Sequence, residues 1–438
     1  MIEDLLPHQV GILGIAMMLL LLVFRIPVAI AMLIVGFLGI GILNGWSAAM
    51  SVLGGEAFVI VTFYELSVIP LFILMGNLAS VSGMSRDLYD AAYSWFGHWR
   101  GGLASSTIVG CAGFAALSGS SIASAVTMGR VSLPQMKRYH YNDQLSTGCI
   151  AAGGTLGILI PPSTGFVIYA ILTEESIGRL FMAGVLPGLL LTALFMGTIY
   201  LITRFRPEFG PSGPKANIQE KWESSRKAST ILVIVLITIG GIYGGIFTPV
   251  EAAGIGAFLS LLVALLRRSL DLLKFCEVLL ATMRTSALSF LILIGAHVFS
   301  PFIALTHIPD IFAEFLNQMD LGPNGILLII LAIYIVLGTF LEGFAMLVLT
   351  LPIFYPLIVE LGFSPIWFGV MAVIVLEMGL ISPPVGVNVF VVKGIAEDVP
   401  MRTIFLGIMP FWGAMLICLL LLLAFPDLAL LLPNSMYG

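Results

Sequence analysis

Two apolar segments, each long enough to cross a bilayer, are interrupted by a pair of adjacent prolines. The pairs lie within residues 157–163 and 379–385. Proline has no backbone N–H and clashes with the preceding turn, so each helix must break or kink at its pair. In hydrocarbon a broken helix is tolerated only where it is buried in protein or lines a polar cavity. The chain must therefore enclose both breaks within a bundle of membrane helices.

The remaining apolar segments also have the length of membrane helices. Of the 438 residues, 59% are hydrophobic and only 10% are charged, and apolar runs of about twenty residues recur. We predict an all-α polytopic membrane protein, with interfacial helices near 47–62 and 270–283, where charged residues interrupt the pattern. The predicted crossings are 9–24, 26–44, 64–83, 144–172, 180–203, 229–246, 248–266, 285–305, 366–394 and 403–425.

A shift of 222 positions superimposes prolines of the two halves of the chain. Pro27 pairs in this way with Pro249, Pro134 pairs with Pro356, and the first proline pair matches the second. We infer an internal duplication. Each half then holds five crossings, an odd number, so the second half is inverted relative to the first.

Each predicted half has the same parts, a re-entrant hairpin and a broken helix. An inverted repeat with one broken helix in each half is the layout of a secondary transporter. The predicted units are a first repeat at 1–203, with its hairpin at 101–136 and broken helix at 144–172; a cytoplasmic linker loop at 204–228; and a second repeat at 229–438, with its hairpin at 324–359 and broken helix at 366–394.

The basic residues agree with this topology. With the N-terminus outside, the basic linker and nearly all other Lys and Arg near helix ends fall inside, while Arg179 and several acids fall outside. Such a bias is the positive-inside pattern, and it is independent of the hydropathy that defines the spans. The residues placed inside are Arg25, Arg86, Arg100, Lys137, Arg138, Arg267, Arg268, Lys274, Arg284, Lys393 and Arg402.

Candidate site residues of the first half lie at its hairpin turn and its break. Gly119 allows a tight turn, and the serines beside it could cap the returning helix, bind a cation or simply pack helices closely. Carbonyls freed before Pro161 suit Na⁺, and the half-helix starting near Ser163 attracts an anion; a plain kink is the alternative. The candidates are Ser118, Gly119, Ser120, Ser121, Gly157 and Pro161 for the ion, and Ser120, Ser121, Pro162, Ser163 and Thr164 for the substrate.

The second half supplies a corresponding turn and break, together with two acids. Glu342 and Glu377 lie in membrane-embedded segments, which indicates an ion or proton role. Glu342 could instead reach a hydrophilic cavity or cap a half-helix. For Glu377 the alternative is that it orients the second break and binds no ion. Arg130 either faces the cytoplasm or meets an anionic substrate. The candidates are Gly338, Thr339, Glu342, Gly343, Ser382 and Pro383 for the ion, and Val385, Gly386 and Asn388 for the substrate.

Enzymatic chemistry is not indicated. The sequence has no phosphate-binding loop, so the chain itself does not hydrolyse ATP. It has no His-Glu-x-x-His, its histidines lack ligand spacing, and its four cysteines are far apart. We predict no catalytic residue, no metal other than Na⁺ as coupling ion, no cofactor and no nucleic-acid partner.

Several motifs together resemble one family, the large membrane subunit of tripartite ATP-independent periplasmic (TRAP) transporters. They span nearly the whole chain and occur in the order found in that family. The matching stretches are Ile26-Pro27-Val28-Ala29, residues 67–76, Ser118-Gly119-Ser120-Ser121, residues 157–163, residues 247–253 and Ser382-Pro383-Pro384-Val385-Gly386. The second hairpin turn departs from the family, because Glu342-Gly343-Phe344 stands where members often have Asp-Pro-Thr-like residues.

The resemblance implies a Na⁺-coupled elevator in a bacterial inner membrane, with a periplasmic N-terminus. It implies Na⁺ sites between the turn at 118–121 and the break at 157–163, and between the turn at 338–343 and the break at 382–388. It implies a small organic anion as substrate, such as a C4-dicarboxylate. The implied partners are a small four-helix membrane subunit, as a separate polypeptide, and a periplasmic substrate-binding protein.

Two other classes of protein remain open at this point. A stand-alone Na⁺/carboxylate symporter of similar architecture would transport without a binding protein or a small subunit. A membrane enzyme or lipid transferase would need an embedded histidine or aspartate cluster, which this sequence does not show.

Overall fold

The computed structural model describes residues 6–317, 321–341 and 343–436. Within these ranges the chain is helical apart from turns and short connections, and contains no strand. Two short 3₁₀ helices, Tyr64–Ser67 and Pro207–Phe209, join longer elements. The α-helices are α1 (Pro7–Val23), α2 (Val28–Asn44), α3 (Trp46–Thr62), α4 (Val68–Val81), α5 (Met84–Phe96), α6 (Gly102–Ser118), α7 (Ser121–Arg138), α8 (Asp143–Leu159), α9 (Thr164–Thr173), α10 (Ile177–Phe205), α11 (Ile218–Tyr243), α12 (Pro249–Leu266), α13 (Leu272–Leu305), α14 (Ile308–Asn317), α15 (Gly322–Gly338), α16 (Gly343–Glu360), α17 (Pro365–Leu380), α18 (Val387–Ile395), α19 (Met401–Ala424) and α20 (Asp427–Ser435).

Local sequence signals explain where several helices begin. Pro249 and Pro365 occupy the first position of α12 and α17, where a missing N–H costs nothing. Thr248 caps α12 and forms a capping box with Glu251, while Ser364 caps α17. These caps satisfy N–H groups that would otherwise be orphaned at the helix ends.

Several helices can span a membrane. Seven in the described ranges are long and apolar enough to cross, and the α8–α9 pair, bent by 41°, provides an eighth span. Shorter apolar helices pack among them, so the all-α polytopic membrane fold is confirmed. The seven spans are Tyr64–Val81, α10, α11, α12, α13, α16 and α19; the shorter apolar helices are α1, α2, α3, α6, α15 and α17.

The order of elements repeats along the chain. The helices α7 and α16 begin at residues 121 and 343, and α8 and α17 begin at 143 and 365, so both pairs are 222 positions apart. Each half contains a helical hairpin followed by a broken helix. The hairpins α6–α7 and α15–α16 and the broken helices α8–α9 and α17–α18 lie within two residues of their predicted bounds.

Two predicted boundaries differ from the structure. The segment 270–283 is not a separate interfacial helix, because α13 runs without a break from Leu272 to Leu305. The linker predicted at 204–228 is shorter, since α10 continues to Phe205 and α11 begins at Ile218. In both places charged residues such as Arg226, Lys274 and Arg284 lie on the exposed sides of long helices, so a charged residue did not exclude the helix from continuing.

The linker is fixed to neighbouring helix ends by hydrogen bonds. The N–H of Gly101 donates to the carbonyl of Gly210 at 2.8 Å, and the N–H of Gly213 donates to the carbonyl of Gly97 at 2.9 Å. The hydroxyl of Tyr141 donates to the carbonyl of Pro211 at 2.8 Å. Burial in this contact raises the pKa of Tyr141 to about 12.

The helices form two packed groups. The framework group contains α1–α5 and α11–α13, in which α2 packs on α13, α4 on α12 and α5 on α11. The hairpin group contains α6–α10 and α15–α20, in which both hairpins pack on the first segment of the broken helix in their own half. The groups meet where α4 and α5 contact α6 and where α13 contacts α16. Gly76 permits a close approach there, since a Cβ would lie 2.7 Å from the Cα of Ser118.

Candidate ion and substrate site

The first hairpin turn closes directly on the first break. Gly119 ends α6 in the left-handed conformation at φ 58°, which glycine adopts without strain. Its carbonyl accepts a hydrogen bond from the Thr164 hydroxyl at 2.8 Å and another from the Thr164 N–H at 3.4 Å. The structure thus brings together the two predicted parts of the first site.

The broken helix touches this turn through a glycine. A Cβ at Gly157 would lie 2.5 Å from the carbonyl oxygen of Ser120 and 2.8 Å from the hydroxyl of Ser124. That hydroxyl shares a hydrogen bond of 2.8 Å with Ser118 inside the hairpin. In a regular helix the N–H groups of residues 161 and 162 would bond the carbonyls of Gly157 and Ile158, but prolines cannot donate. Oxygen acceptors are therefore freed at this contact.

Two half-helices begin beside the turn. Ser120 caps α7 by accepting the N–H of Ala123 at 3.3 Å, and Ser163 caps α9 by accepting the N–H of Phe166 at 3.2 Å. These bonds confirm the capping alternative for Ser120 and occupy one acceptor site on each hydroxyl. The positive ends of both helix dipoles lie at the break.

The second turn is also packed against its broken helix, again through glycines. A Cβ at Gly379 would lie 2.5 Å from the carbonyl oxygen of Gly338. Gly379 lies 222 positions after Gly157, so each broken helix touches its hairpin through the same glycine of the repeat. The opposing residues differ, because Gly338 corresponds to Ala116 and not to Ser120. Thr339 donates to the carbonyl of its own helix at Val336, and Glu342 lies outside the described residues. Gly343 packs closely on the side chain of Leu376.

The two breaks differ in exposure. Residues 161–164 are all buried, whereas residues 383–385 are exposed. Beside the second break, the Ser382 hydroxyl donates to the carbonyl of Met378 at 2.6 Å and accepts the indole N–H of Trp412 at 2.9 Å. Gly386 follows in the left-handed conformation at φ 59° and begins α18. Both Pro–Pro peptide bonds are cis.

Three buried polar side chains join the two halves. The Ser121 hydroxyl donates to Glu377 Oε1 at 2.6 Å, and Glu377 is only 1% exposed. Asn388 is fully buried, and its amide nitrogen and oxygen, like Glu377 Oε2, have no hydrogen-bond partner among the described residues. A Cβ at Gly154 would lie 3.1 Å from the Ser121 carbonyl and 3.3 Å from Asn388 Nδ2, so α7, α8 and α18 meet there.

Apart from Glu377, the charged residues nearby lie around this cluster and not in it. Arg130 is exposed on α7 and lies outside the buried cluster. Lys137, at the end of α7, pairs with Asp398 after α18 at 2.5 Å. The hydrogen bond from Lys137 lowers the pKa of Asp398. This pair is a second link between the first hairpin and the second broken helix.

Comparison with known families decides what kind of protein carries this site. A family model described as "Tripartite ATP-independent periplasmic transporter, DctM component" matches residues 15–428. The chain belongs to this family. A DctM component is part of a transporter and not an enzyme, which confirms the prediction that the chain has no catalytic function.

Curated relatives support the same assignment for this DctM component. The "C4-dicarboxylate TRAP transporter large permease protein DctM" of Pseudomonas aeruginosa is 38% identical and aligns over 85% of this chain and 86% of its own length. The "Sialic acid TRAP transporter large permease protein SiaM" of Vibrio cholerae is 34% identical and aligns over 89% and 90%. A solved structure of the YdaH transporter of Alcanivorax borkumensis, with a TM-score of 0.58 and 16% identity, covers 89% of this chain and 88% of its own, and shares its fold.

Proposed function

We propose that this DctM component carries a small organic carboxylate inward across the bacterial inner membrane, driven by Na⁺. A periplasmic substrate-binding protein delivers the substrate, and a small four-helix membrane subunit completes the assembly. The observation that carries the proposal is the closure of the first hairpin turn on the first break, through the bond from Thr164 to the Gly119 carbonyl at 2.8 Å.

The ion is assigned to the contact between turn and break because oxygen atoms concentrate there. The Gly157 and Ile158 carbonyls lose their helical donors to the proline pair. The Ser120 carbonyl lies directly against Gly157. Carbonyl and hydroxyl oxygens are the ligands that a hard cation prefers. In the second half the glycine that corresponds to Gly157, Gly379, lies directly against the Gly338 carbonyl, and this contact supports a second Na⁺ there.

The substrate is assigned to the interior between the two breaks. Asn388 buries an amide whose donor and acceptor have no partner among the described residues, a costly arrangement unless a ligand satisfies it. The N-terminus of α9, capped by Ser163, adds a positive helix end that favours a carboxylate. The relatives named for C4-dicarboxylates and for sialic acid both handle carboxylate-bearing compounds.

Movement and orientation complete the proposal. The hairpin group carries both turns and both breaks, so it would travel as the moving domain of an elevator against the framework group. The predicted excess of basic residues on one side places the N-terminus in the periplasm. Lys137 and Arg267, which that pattern assigns to the cytoplasm, both form ion pairs at helix ends, with Asp398 and Asp87.

Uptake by the reconstituted complex tests the proposal. Proteoliposomes containing this chain, the small subunit and the binding protein should accumulate a C4-dicarboxylate or sialic acid only with an inward Na⁺ gradient. Thr164→Val removes the hydroxyl bond to the Gly119 carbonyl, leaving only the longer bond from the backbone N–H, and should raise the Na⁺ concentration for half-maximal uptake at least about fivefold. The matched control is Thr198→Val, since Thr198 bonds only the Leu194 carbonyl of its own helix.

Three results would count against the proposal. Uptake that does not depend on Na⁺ would rule out Na⁺ as the coupling ion. Uptake that is equally fast without the binding protein and the small subunit would identify a stand-alone symporter instead. An unchanged Na⁺ dependence in Thr164→Val would show that the first turn and break are not an ion site.

A further inference from the structure

We propose that Glu377 is a positioning residue that couples the two Na⁺ sites, through the hydrogen bond that it accepts from Ser121. The inference rests on the Na⁺ coupling proposed above. Ser121 belongs to the first hairpin and Glu377 to the second broken helix, and their side chains meet at 2.6 Å in the buried interior. The bond therefore joins structural parts of two different sites.

Ser121 is part of the first site. It is the first residue of α7 and follows Ser120, whose carbonyl lies against Gly157. Its own carbonyl lies next to Gly154 on α8. Any displacement of Ser121 thus moves the oxygen atoms around the first turn.

Glu377 is part of the helix that builds the second site. It lies on α17 two residues before Gly379, whose Cα is held against the Gly338 backbone. Every residue of α17 after Pro365 is buried, so this segment has little room to adjust locally. A displacement of Glu377 is transmitted to the second turn.

The bond between them is costly to break. Glu377 Oε2 already has no partner among the described residues, so loss of the Ser121 donor would leave the carboxyl group without any hydrogen bond in a buried environment. Arrangements that keep both turns in place are therefore favoured together. Na⁺ that orders one turn should raise the affinity of the other turn, and the effect must be reciprocal.

Hydrogen–deuterium exchange can follow each turn separately. In the purified complex, Na⁺ should slow amide exchange in peptides covering 115–124 and 336–345, with the same Na⁺ midpoint for both turns. In Ser121→Ala the two midpoints should separate by at least about fivefold, and the Hill coefficient of uptake should fall from about 2 towards 1.

Two further variants define the role of Glu377. Glu377→Gln keeps the acceptor oxygen for Ser121, so its midpoints should stay together. Ser132→Ala is the matched control for Ser121→Ala. Ser132 is a buried serine on α7, the helix that contains Ser121, and its hydroxyl has no partner among the described residues. It should behave like the wild type.

The outcomes separate this inference from the proposed function. Coincident midpoints in Ser121→Ala overturn the coupling and leave Na⁺-driven uptake standing. If Na⁺ no longer slowed amide exchange in Glu377→Gln, while Ser121→Ala behaved like the wild type, the positioning role would be overturned. The charge of Glu377, and not its hydrogen bond to Ser121, would then be what the sites require. If Na⁺ did not slow amide exchange at either turn of the wild type, neither turn would be an ion site, and both proposals would fail.

Discussion

The contact between Gly157 and the first hairpin turn gives the sharpest prediction. In Gly157→Ala the new methyl group would lie 2.5 Å from the Ser120 carbonyl oxygen and 2.7 Å from its carbon. Ordinary contacts begin near 3.4 Å, so the Ser120 backbone must retreat by about 0.9 Å, the difference between 3.4 and 2.5 Å. Because the opposing atoms are backbone, a side-chain rotation cannot relieve the clash.

Two free-energy terms compete in this variant. Alanine is favoured over glycine within a helix by about 1 kcal/mol. Overpacking a close contact costs about 1–3 kcal/mol. The net change in stability is therefore small, at most about 2 kcal/mol destabilising. The effect on ion binding is larger, because a functional site must hold its ligands within about 0.5 Å. We expect the Na⁺ concentration for half-maximal uptake to rise at least about tenfold, or about 1.4 kcal/mol.

Proteoliposome uptake measured over a range of Na⁺ concentrations tests this expectation. Gly197→Ala is the control, because Gly197 lies within α10 and the added methyl group would have no atom within 4 Å other than its chain neighbours and the backbone of its own helix. That variant should have wild-type Na⁺ dependence and equal or higher thermal stability. If Gly157→Ala matched Gly197→Ala in its Na⁺ dependence, the reasoning from the close contact to the ion site would be refuted.

Three more outcomes can be measured. Asn388→Leu removes buried polar atoms without partners, so thermal stability should hold or rise while uptake is abolished; retained uptake would exclude Asn388 from the site. Trp412→Phe removes the indole N–H that donates to Ser382. It should lower the free energy of unfolding by about 1 kcal/mol and raise the Na⁺ concentration for half-maximal uptake. If both values were unchanged, this hydrogen bond would contribute to neither stability nor ion binding. Asp398→Asn should lower the melting temperature at pH 7, because it removes the ion pair with Lys137. That pair is fully present above the unfolded pKa of about 3.9 and is lost as pH falls through the folded pKa, which Lys137 lowers. The difference from wild type should therefore begin to shrink near pH 3.9 and vanish only below the folded pKa; a difference that persisted there would have another cause.

Local chemistry explains why the hairpins and breaks could be predicted from the sequence. Gly119 next to Ser120 encodes a helix end followed by a cap, and each proline pair prevents regular helix wherever it occurs. These signals act through the nearest few residues and do not depend on the surrounding bundle. The repeat then relates the first half to the second, as the glycine contacts at Gly157 and Gly379 show.

Contacts that arise only from packing could not be predicted. Ser121 and Glu377 are 256 positions apart, so the shift that relates the repeats does not align them, and their bond depends on how the halves fit together. The unbroken α13 was missed because Lys274 and Arg284 suggested a helix outside the membrane. The structure places both on its exposed side, while a narrow stripe that includes Thr282 faces the protein.

The two breaks differ in burial, so their solvent access should change in opposite directions when the transporter changes conformation. Inverted halves can exchange conformations, and the exchanged form would expose the first break and bury the second. Cysteine introduced at Ser163 should then become reactive to a hydrophilic thiol reagent as cysteine introduced at Val385 becomes protected. Cys276, the exposed native cysteine, would be replaced first, since Cys111, Cys149 and Cys418 are buried. Labelling the two positions in parallel would time the reversal of access during a transport cycle, without any label on the substrate.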